Sequence, residues 1–409
     1  MSRTTAQLPA GPRITDYMSL GVVARSVPRE MVDEVLAETG RASQRERELP
    51  AHVMVYYAIA LGLWMQSSCR EVLRCLLEGL QWLALPGAPL KVTGKSGISQ
   101  ARTRLGSEPL RQLHDRIVCP IAQPRTKGAW YRRWRVVSLD GSTMAVADTP
   151  ENDQAFGRPG KRNGGQAAHP LVRFVSLVEC GTHVLFGTRM DAYCVGEYTL
   201  AQEVIKALGE GMLCLADRIF FGFELWQAAQ ATGSDLLWRV KHNLFLPCEQ
   251  RLADGSYLST VYPSRTDRRR KANGLAVRVI EYTLEGLSDA EPLYRLVTTI
   301  LDPAQAPAEE LAALYPQRWE IEGALDELKT HLRGSQIVLR SRTPELVRQE
   351  FYGLLLAHFA IRGLMHEAAL TADEDPDRIS FVHTVRVVRR NLLKGQAQAF
   401  SPSGDGSVP

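Results

Sequence analysis

Three shortages narrow what this chain can be. It has no apolar run near the ~20 residues a helix needs to cross a bilayer; the longest, Val53–Met65, is interrupted by tyrosines and reads as a buried helix. It has no paired-cysteine pattern. The seven cysteines (Cys69, Cys75, Cys119, Cys180, Cys194, Cys214, Cys248) are odd in number, scattered and never in C-x2-C spacing, which argues against a thiolate zinc centre and reads as reduced thiols of a cytoplasmic protein. It also lacks a dominant charge: the net is +4, so bulk charge alone does not announce a polyanionic partner. No secretory pattern opens the chain. What remains is ordinary globular material, 409 residues at 45% hydrophobic and 23% charged, enough for two or three domains.

Charge is unevenly placed. Between Ser96 and Arg135 nine cations (Arg102, Arg104, Arg111, Arg116, Arg125, Lys127, Arg132, Arg133, Arg135) face only Glu108 and Asp115. Helical periodicity covers Arg29–Ala37, Ala51–Trp64, Cys69–Leu83 and Ser99–Ile117, with Pro86-Gly87 and Thr93–Gly97 as breaks. A short helix, a break and an Arg-rich helix make residues 1–126 a candidate DNA-binding domain, with Arg102 and Arg104 as its phosphate contacts. The competing reading is a solvated amphipathic helix.

From Trp134 the pattern changes. Arg135–Leu139, Leu171–Glu179 and His183–Arg189 read as three strands, followed by a helix at 196–208, a strand Met212–Ala216, a helix at 222–231 and a strand Leu236–Lys241. This is the order of an α/β, ribonuclease H-like mixed sheet, here spanning 127–241. Residues 242–303 lose the helical signal and read as a β-rich insertion whose basic run Arg265–Lys271 forms a turn. The sheet domain then resumes over 304–340, apolar helices fill 341–400, and the Gly/Ser/Pro tail 401–409 reads as disordered.

One motif stands out. Tyr315, Arg318, Glu322 and Lys329 form Y-x2-R-x3-E-x6-K. At about 100° per residue the last three fall within a narrow stripe, beside an apolar face made by Ile321, Leu325, Leu328 and Leu332. A carboxylate flanked by cations along one anchored helix suits a metal ion and a phosphodiester. The ordinary alternative is an Arg318–Glu322 ion pair with Lys329 held by Asp326. Asp140 and Asp217 each close an apolar strand, where open α/β sheets gather functional groups. With Glu322 they make three converging carboxylates, a set that repels itself unless cations occupy it. Two Mg²⁺ ions, with Mn²⁺ as a substitute, meet that need through oxygen ligands alone. Asp148 and Asp191 compete less well, Asp148 because Thr149-Pro150 marks it as a turn residue.

Taken together, Leu139-Asp140-Gly-Ser-Thr, Asn152…Phe156-Gly-Arg158-Pro, Leu-Ala-Asp217-Arg218, Leu237-Trp-Arg-Val-Lys241 and the Tyr315/Arg318/Glu322/Lys329 motif resemble the insertion element four family of bacterial DDE transposases. Leu49-Pro-Ala…Tyr56-Tyr57 and Arg70-Glu-Val-Leu73 resemble that family's N-terminal domain, so the likeness covers nearly the full length. It implies a cut-and-paste enzyme in which Asp140, Asp217 and Glu322 bind the metals while Tyr315, Arg318 and Lys329 contact DNA phosphates near the cleaved end. It also implies a partner in the element's terminal inverted repeats and in target DNA, and a homodimer assembled on DNA, for which the C-terminal helices with Val382, Val385 and Val388 are the candidate interface. A nuclease without strand transfer, and a non-catalytic regulator descended from a transposase, are the rival expectations.

Overall fold

The structure, a computed structural model, describes residues 18–45, 48–84, 94–160, 168–283, 293–334 and 337–390; the tail 401–409 and the Pro86-Gly87 break lie outside the described residues. Six helices come first: α1 (Met18–Ser26), α2 (Arg29–Glu38), α3 (Ala51–Leu63), α4 (Cys69–Ala84), α5 (Lys95–Leu105) and α6 (Glu108–Ile117). The single helix expected over Ser99–Ile117 is two. Gly106, at φ 72°, ends α5 in a conformation that only glycine adopts cheaply, and Pro109 restarts the chain as α6.

A short strand β1 (Trp130–Tyr131) leads into the sheet strands β2 (Trp134–Ala145), β3 (Leu171–Glu179) and β4 (Val184–Ala192), with helix α7 (Pro150–Phe156) between β2 and β3. Then come α8 (Glu197–Val204), β5 (Met212–Ala216), α9 (Phe223–Gln230) and β6 (Asp235–Arg239). The sheet order is β4-β3-β2-β5-β6, with β3 antiparallel to both β2 and β4, while β2, β5 and β6 run parallel. Three antiparallel strands followed by two parallel ones across β2 make the ribonuclease H-like arrangement that the element order predicted.

The insertion does not form a separate sheet. Its strands β7 (Gln250–Arg251), β8 (Tyr257–Val261), β9 (Leu275–Tyr282) and β10 (Tyr294–Thr298) extend the same one, because β10 pairs antiparallel with β6. The basic run is not a plain turn either: it forms the short helix α10 (Arg265–Arg270), capped by Ser264. One buried cation ties this extension to the next helix. Arg278, fully buried, donates to Ser256 Oγ at 2.8 Å and to the Ala306 carbonyl at 2.7 Å, and pairs with Asp254. Asp254 in turn accepts the Ala308 N–H at 2.8 Å, satisfying an orphan donor at the start of α11 (Ala308–Leu314).

From α11 the chain runs on as one rod of changing pitch: a 3₁₀ segment (Tyr315–Trp319), α12 (Glu320–Asp326) and a π segment (Glu327–Leu332). Pro316 has no N–H to give an α-type bond, which accounts for the tightened first part. The uniform 100° spacing assumed from sequence is therefore wrong in detail, since 3₁₀ residues advance by about 120° and π residues by less than 100°.

Last come α13 (Pro344–Ala372) and α14 (Phe381–Arg390). α13 is a spine. It lies against α3, α6 and β4, and buries side chains from Leu346 to Ala369. Two glycines let α3 and α13 close up: a Cβ at Gly353 would run into the Ala58 carbonyl, and one at Gly62 would lie 2.9 Å from Leu354 Cα. The apolar face of α14 is likewise spent inside the chain. Val385 and Val388 are buried, and Arg389 donates to the Leu63 carbonyl at 2.7 Å and the Leu332 carbonyl at 3.2 Å. The expectation that this face forms a dimer interface is corrected accordingly. Among the described residues no helix is long and apolar enough to cross a membrane.

Candidate active site

Register brings the two aspartates together. The last parallel pair between β2 and β5 is Leu139 with Ala216, so Asp140 and Asp217 follow side by side on neighbouring strands. Asp217 does leave the end of β5. Asp140 does not end β2: that strand continues to Ala145 while paired only with β3, and Asp140 sits opposite Ser176. What matters for the site is the end of the parallel pairing, not the end of the strand.

The rod lies over the same face of β2. Arg318, almost fully buried, donates to Asp140 Oδ2 at 3.3 Å with its guanidinium over the Trp319 ring. Lys329 Nζ donates to Ser142 Oγ at 2.8 Å, and Ser142 shares the Asp140 face by strand alternation. The Lys329–Asp326 pair considered from sequence is not made, because Asp326 pairs with His331 at 3.2 Å. Glu322 reaches the two aspartates through their fields. Its carboxyl is held above the usual range first by burial and then by Asp140 and Asp217, with Arg318 opposing. Asp140 is likewise raised, by burial first and by Asp217, against the Gly141 N–H and Arg318. Asp217 has one oxygen, Oδ1, that is buried and accepts no hydrogen bond; Arg239 is 4.0 Å from it.

Two of the residues expected to contact DNA lie inside the protein. Tyr315 is buried in the core beneath α11 and its hydroxyl donates to the Ala216 carbonyl at 3.2 Å, so it fixes the residue before Asp217. Arg102 is also inside: it donates to Gln349 Oε1 at 2.8 Å, Ser341 Oγ at 2.9 Å and the Leu346 carbonyl at 3.2 Å, and so joins α5 to α13. Arg104 is exposed. Much of the basic excess around it is spent internally, Arg111 on Glu108 and Asp115, Arg116 on Glu38, Arg132 on Glu310 and Arg135 on Glu179. Asp148 pairs with Arg158 away from the site.

Glu197, the first residue of α8, packs against β2. Its carboxyl carbon lies 2.7 Å from where a Cβ on Gly141 would stand, beside Asp140.

The match to known families agrees with this geometry. The insertion element 4 transposase N-terminal family matches residues 17–115, and the transposase DDE domain family matches residues 133–360. The chain belongs to the DDE transposase family. It is 29% identical over 389 residues to the transposase InsG for insertion sequence element IS4 of Escherichia coli K12, covering 93% of this chain and 83% of InsG. It is 23% identical over 221 residues to the InsZ protein of the same organism, covering 54% of this chain and 71% of InsZ. A solved synaptic complex of piggyBac transposase with hairpin DNA superposes with a TM-score of 0.49 at 11% identity, covering 91% of this chain and 79% of that one. The fold assignment rests on strand order, not on that superposition.

This transposase is therefore an enzyme acting on DNA, of a family that uses a divalent metal. The residues present fit one: three carboxylates supply hard oxygen donors, and Asp217 Oδ1 is a buried acceptor without a donor. Among the described residues the triad is not the tightest cluster of this kind. His183, Glu320 and Asp377 offer ligand atoms all within 4.8 Å of one another. That group belongs to a different neighbourhood, in which Arg362 and Glu327 both press on His183 Nδ1.

Proposed function

We propose that this transposase nicks and joins DNA at the ends of an insertion sequence by cut-and-paste chemistry. Asp140, Asp217 and Glu322 hold two divalent cations, Mg²⁺ with Mn²⁺ as a substitute. The observation that carries this reading is the register that sets Asp140 beside Asp217 under the rod bearing Arg318 and Glu322, with one Asp217 oxygen buried and without a donor. A carboxylate group built for structure would be neutralised from within; this one is left wanting positive charge. When bound, the cations supply Lewis-acid activation of an attacking water or 3′-hydroxyl and stabilise the leaving oxygen.

The chain's own residues do the rest. Arg318 orients Asp140 from the rod side, and Tyr315 holds the Ala216 carbonyl so that Asp217 leaves β5 in a fixed direction. Lys329 and Ser142 border the carboxylates with a half-buried ammonium available to a passing phosphate. Ile219 and Trp319, both large and exposed beside Asp217 and Arg318, offer an apolar rim to DNA. Two protomers assemble on DNA, because one triad serves one end at a time.

The test uses the purified protein and a labelled duplex carrying the inverted repeat that flanks its gene, with a supercoiled plasmid as target. Mg²⁺-dependent nicking at the repeat end followed by joining to plasmid is expected. Nicking without joining would leave a nuclease, and full activity in EDTA would remove the metals.

A further inference from the structure

We propose that His183, Glu320 and Asp377 form a second cation site, separate from the carboxylate triad, which takes one Zn²⁺ ion and fastens the rod to its neighbours. The three come from distant parts of the chain. His183 lies in the turn between β3 and β4, Glu320 opens α12, and Asp377 belongs to the 3₁₀ turn Pro376–Arg378 that links α13 to α14. Their ligand atoms all lie within 4.8 Å of one another. His183 Nε2 is 3.2 Å from Asp377 Oδ1 and 3.9 Å from Glu320 Oε2. Ligands about 2.1 Å from a tetrahedral ion stand ~3.4 Å apart, a spacing that these two distances bracket. One imidazole nitrogen and two carboxylate oxygens make a zinc donor set, with water in the fourth position and no thiolate involved.

The ordinary explanation is an ion network around a charged histidine, and the imidazole argues against it. His183 is 9% exposed, and its Nε2 is buried without a hydrogen-bond partner although Asp377 stands within reach. An Nε2–H there would go to one of the two carboxylates, and it goes to neither. A bare Nε2 lone pair facing two carboxylates is repulsive until a cation completes it. The other ring nitrogen fits that tautomer. Nδ1 lies 3.2 Å from Glu327 Oε1, so an Nδ1–H donates to a carboxylate, as metal-bound imidazoles commonly do. Arg362 reaches Nδ1 as well. Were Nδ1 to accept from it, Nε2 would carry the proton and need the acceptor it lacks. Glu320 is braced in the same manner, since its Oε2 accepts the Gly181 N–H at 2.5 Å. The charge count agrees. Glu327 is paired with Arg362, whereas among the described residues neither Glu320 nor Asp377 pairs with an arginine or a lysine. A divalent ion balances those two carboxylates, and it would anchor the rod two residues before Glu322.

The experiment strips the full-length protein with EDTA, removes the chelator and adds Co²⁺ alone, read by visible absorption, or Zn²⁺ alone, read by thermal unfolding. Wild type is compared with His183→Gln, Glu320→Gln, Asp377→Asn and, as a triad control, Asp217→Asn. One Co²⁺ should give the strong visible bands of a four-coordinate site, and Zn²⁺ should displace it. Asp217→Asn should keep those bands, and Asp377→Asn should weaken Co²⁺ binding by about ten-fold or more. Zn²⁺ should raise the unfolding midpoint of the wild type and of Asp217→Asn, and that of Asp377→Asn far less. In EDTA, Asp377→Asn should melt no lower than the wild type. His183→Gln removes a buried ring, so if it does not fold, the two carboxylate variants decide. Wild-type Co²⁺ spectra and Zn²⁺ shifts in both Glu320→Gln and Asp377→Asn would overturn the site. So would loss of all metal uptake in Asp217→Asn, which would leave the triad as the sole binder, or a drop in the EDTA midpoint of Asp377→Asn with unchanged metal affinity.

Discussion

Two carboxylate clusters lie less than two turns apart on the Tyr315–Leu332 rod, and they are built on opposite principles. Glu327, in the π segment, is buried and surrounded. Arg362 donates to both its oxygens, at 2.8 Å from Nε and 2.5 Å from Nη2, and His358 and His183 stand at 3.3 and 3.2 Å. These partners overcome burial and hold its carboxyl far below the usual range. Asp140 and Glu322 are pushed the other way, and Asp217 keeps an oxygen with no donor. Both clusters gather charge, but only the Glu327 one is buried and completed by the chain itself. An internally satisfied carboxylate holds the rod to α13; an unsatisfied one awaits something from outside.

The sharpest way to break this contrast is to neutralise each cluster. Asp140→Asn, Asp217→Asn and Glu322→Gln should each reduce metal-dependent end cleavage by at least about a thousandfold, the equivalent of several kcal/mol of transition-state stabilisation. In EDTA their unfolding midpoints should hold or rise, because a repulsive charge has gone. A clear loss of stability in any of them would place that residue with Glu327 instead.

Glu327→Gln should do the reverse, costing about 3–5 kcal/mol in denaturant unfolding because Arg362 is left buried and uncompensated. The folded fraction should still cleave. The pH dependence has a fixed sign. A carboxyl whose folded pKa is depressed contributes stability above its unfolded value, near 4.5, and loses it as pH falls through the folded one. The gap between wild type and Glu327→Gln should therefore be widest near pH 7 and shrink in acid below about pH 4.5. A gap that widens in acid would overturn the assignment.

Arg102→Ala should cost about 1–3 kcal/mol by stranding Gln349 and Ser341, and should leave the salt dependence of DNA binding untouched. A shallower salt slope would restore Arg102 to the DNA surface. Lys329→Ala should give the smallest change. End binding weakens modestly, its salt slope shallows by about one contact, and the unfolding midpoint barely moves. If stability alone drops, the ammonium serves only Ser142.

What was legible in the sequence was what local signals can carry. Asp217 follows a short apolar strand, and the motif from Tyr315 to Lys329 fixes its own spacing. Partners far along the chain were not legible. Arg102 reads as a surface cation until Gln349, 247 positions later, takes its Nε. Tyr315 reads as a phosphate ligand until the Ala216 carbonyl takes its hydroxyl, 99 positions away. Asp140 reads as a strand terminus because the outer half of β2 pairs with β3 alone.

The glycine-lined crossing of α3 and α13 also sets an order of assembly. Residues 51–63 leave the ribosome early, yet the helix that covers them is made only after β1–β10 and after Asp140, Asp217 and Glu322 have been synthesised. The first helices pack on one another but cannot complete the burial of α3 until that late segment arrives, so the end of their folding waits for nearly the whole chain. Loss of residues beyond about 340 would strip the cover from the earliest-made helices and would also leave Glu327 on the rod without Arg362 and His358.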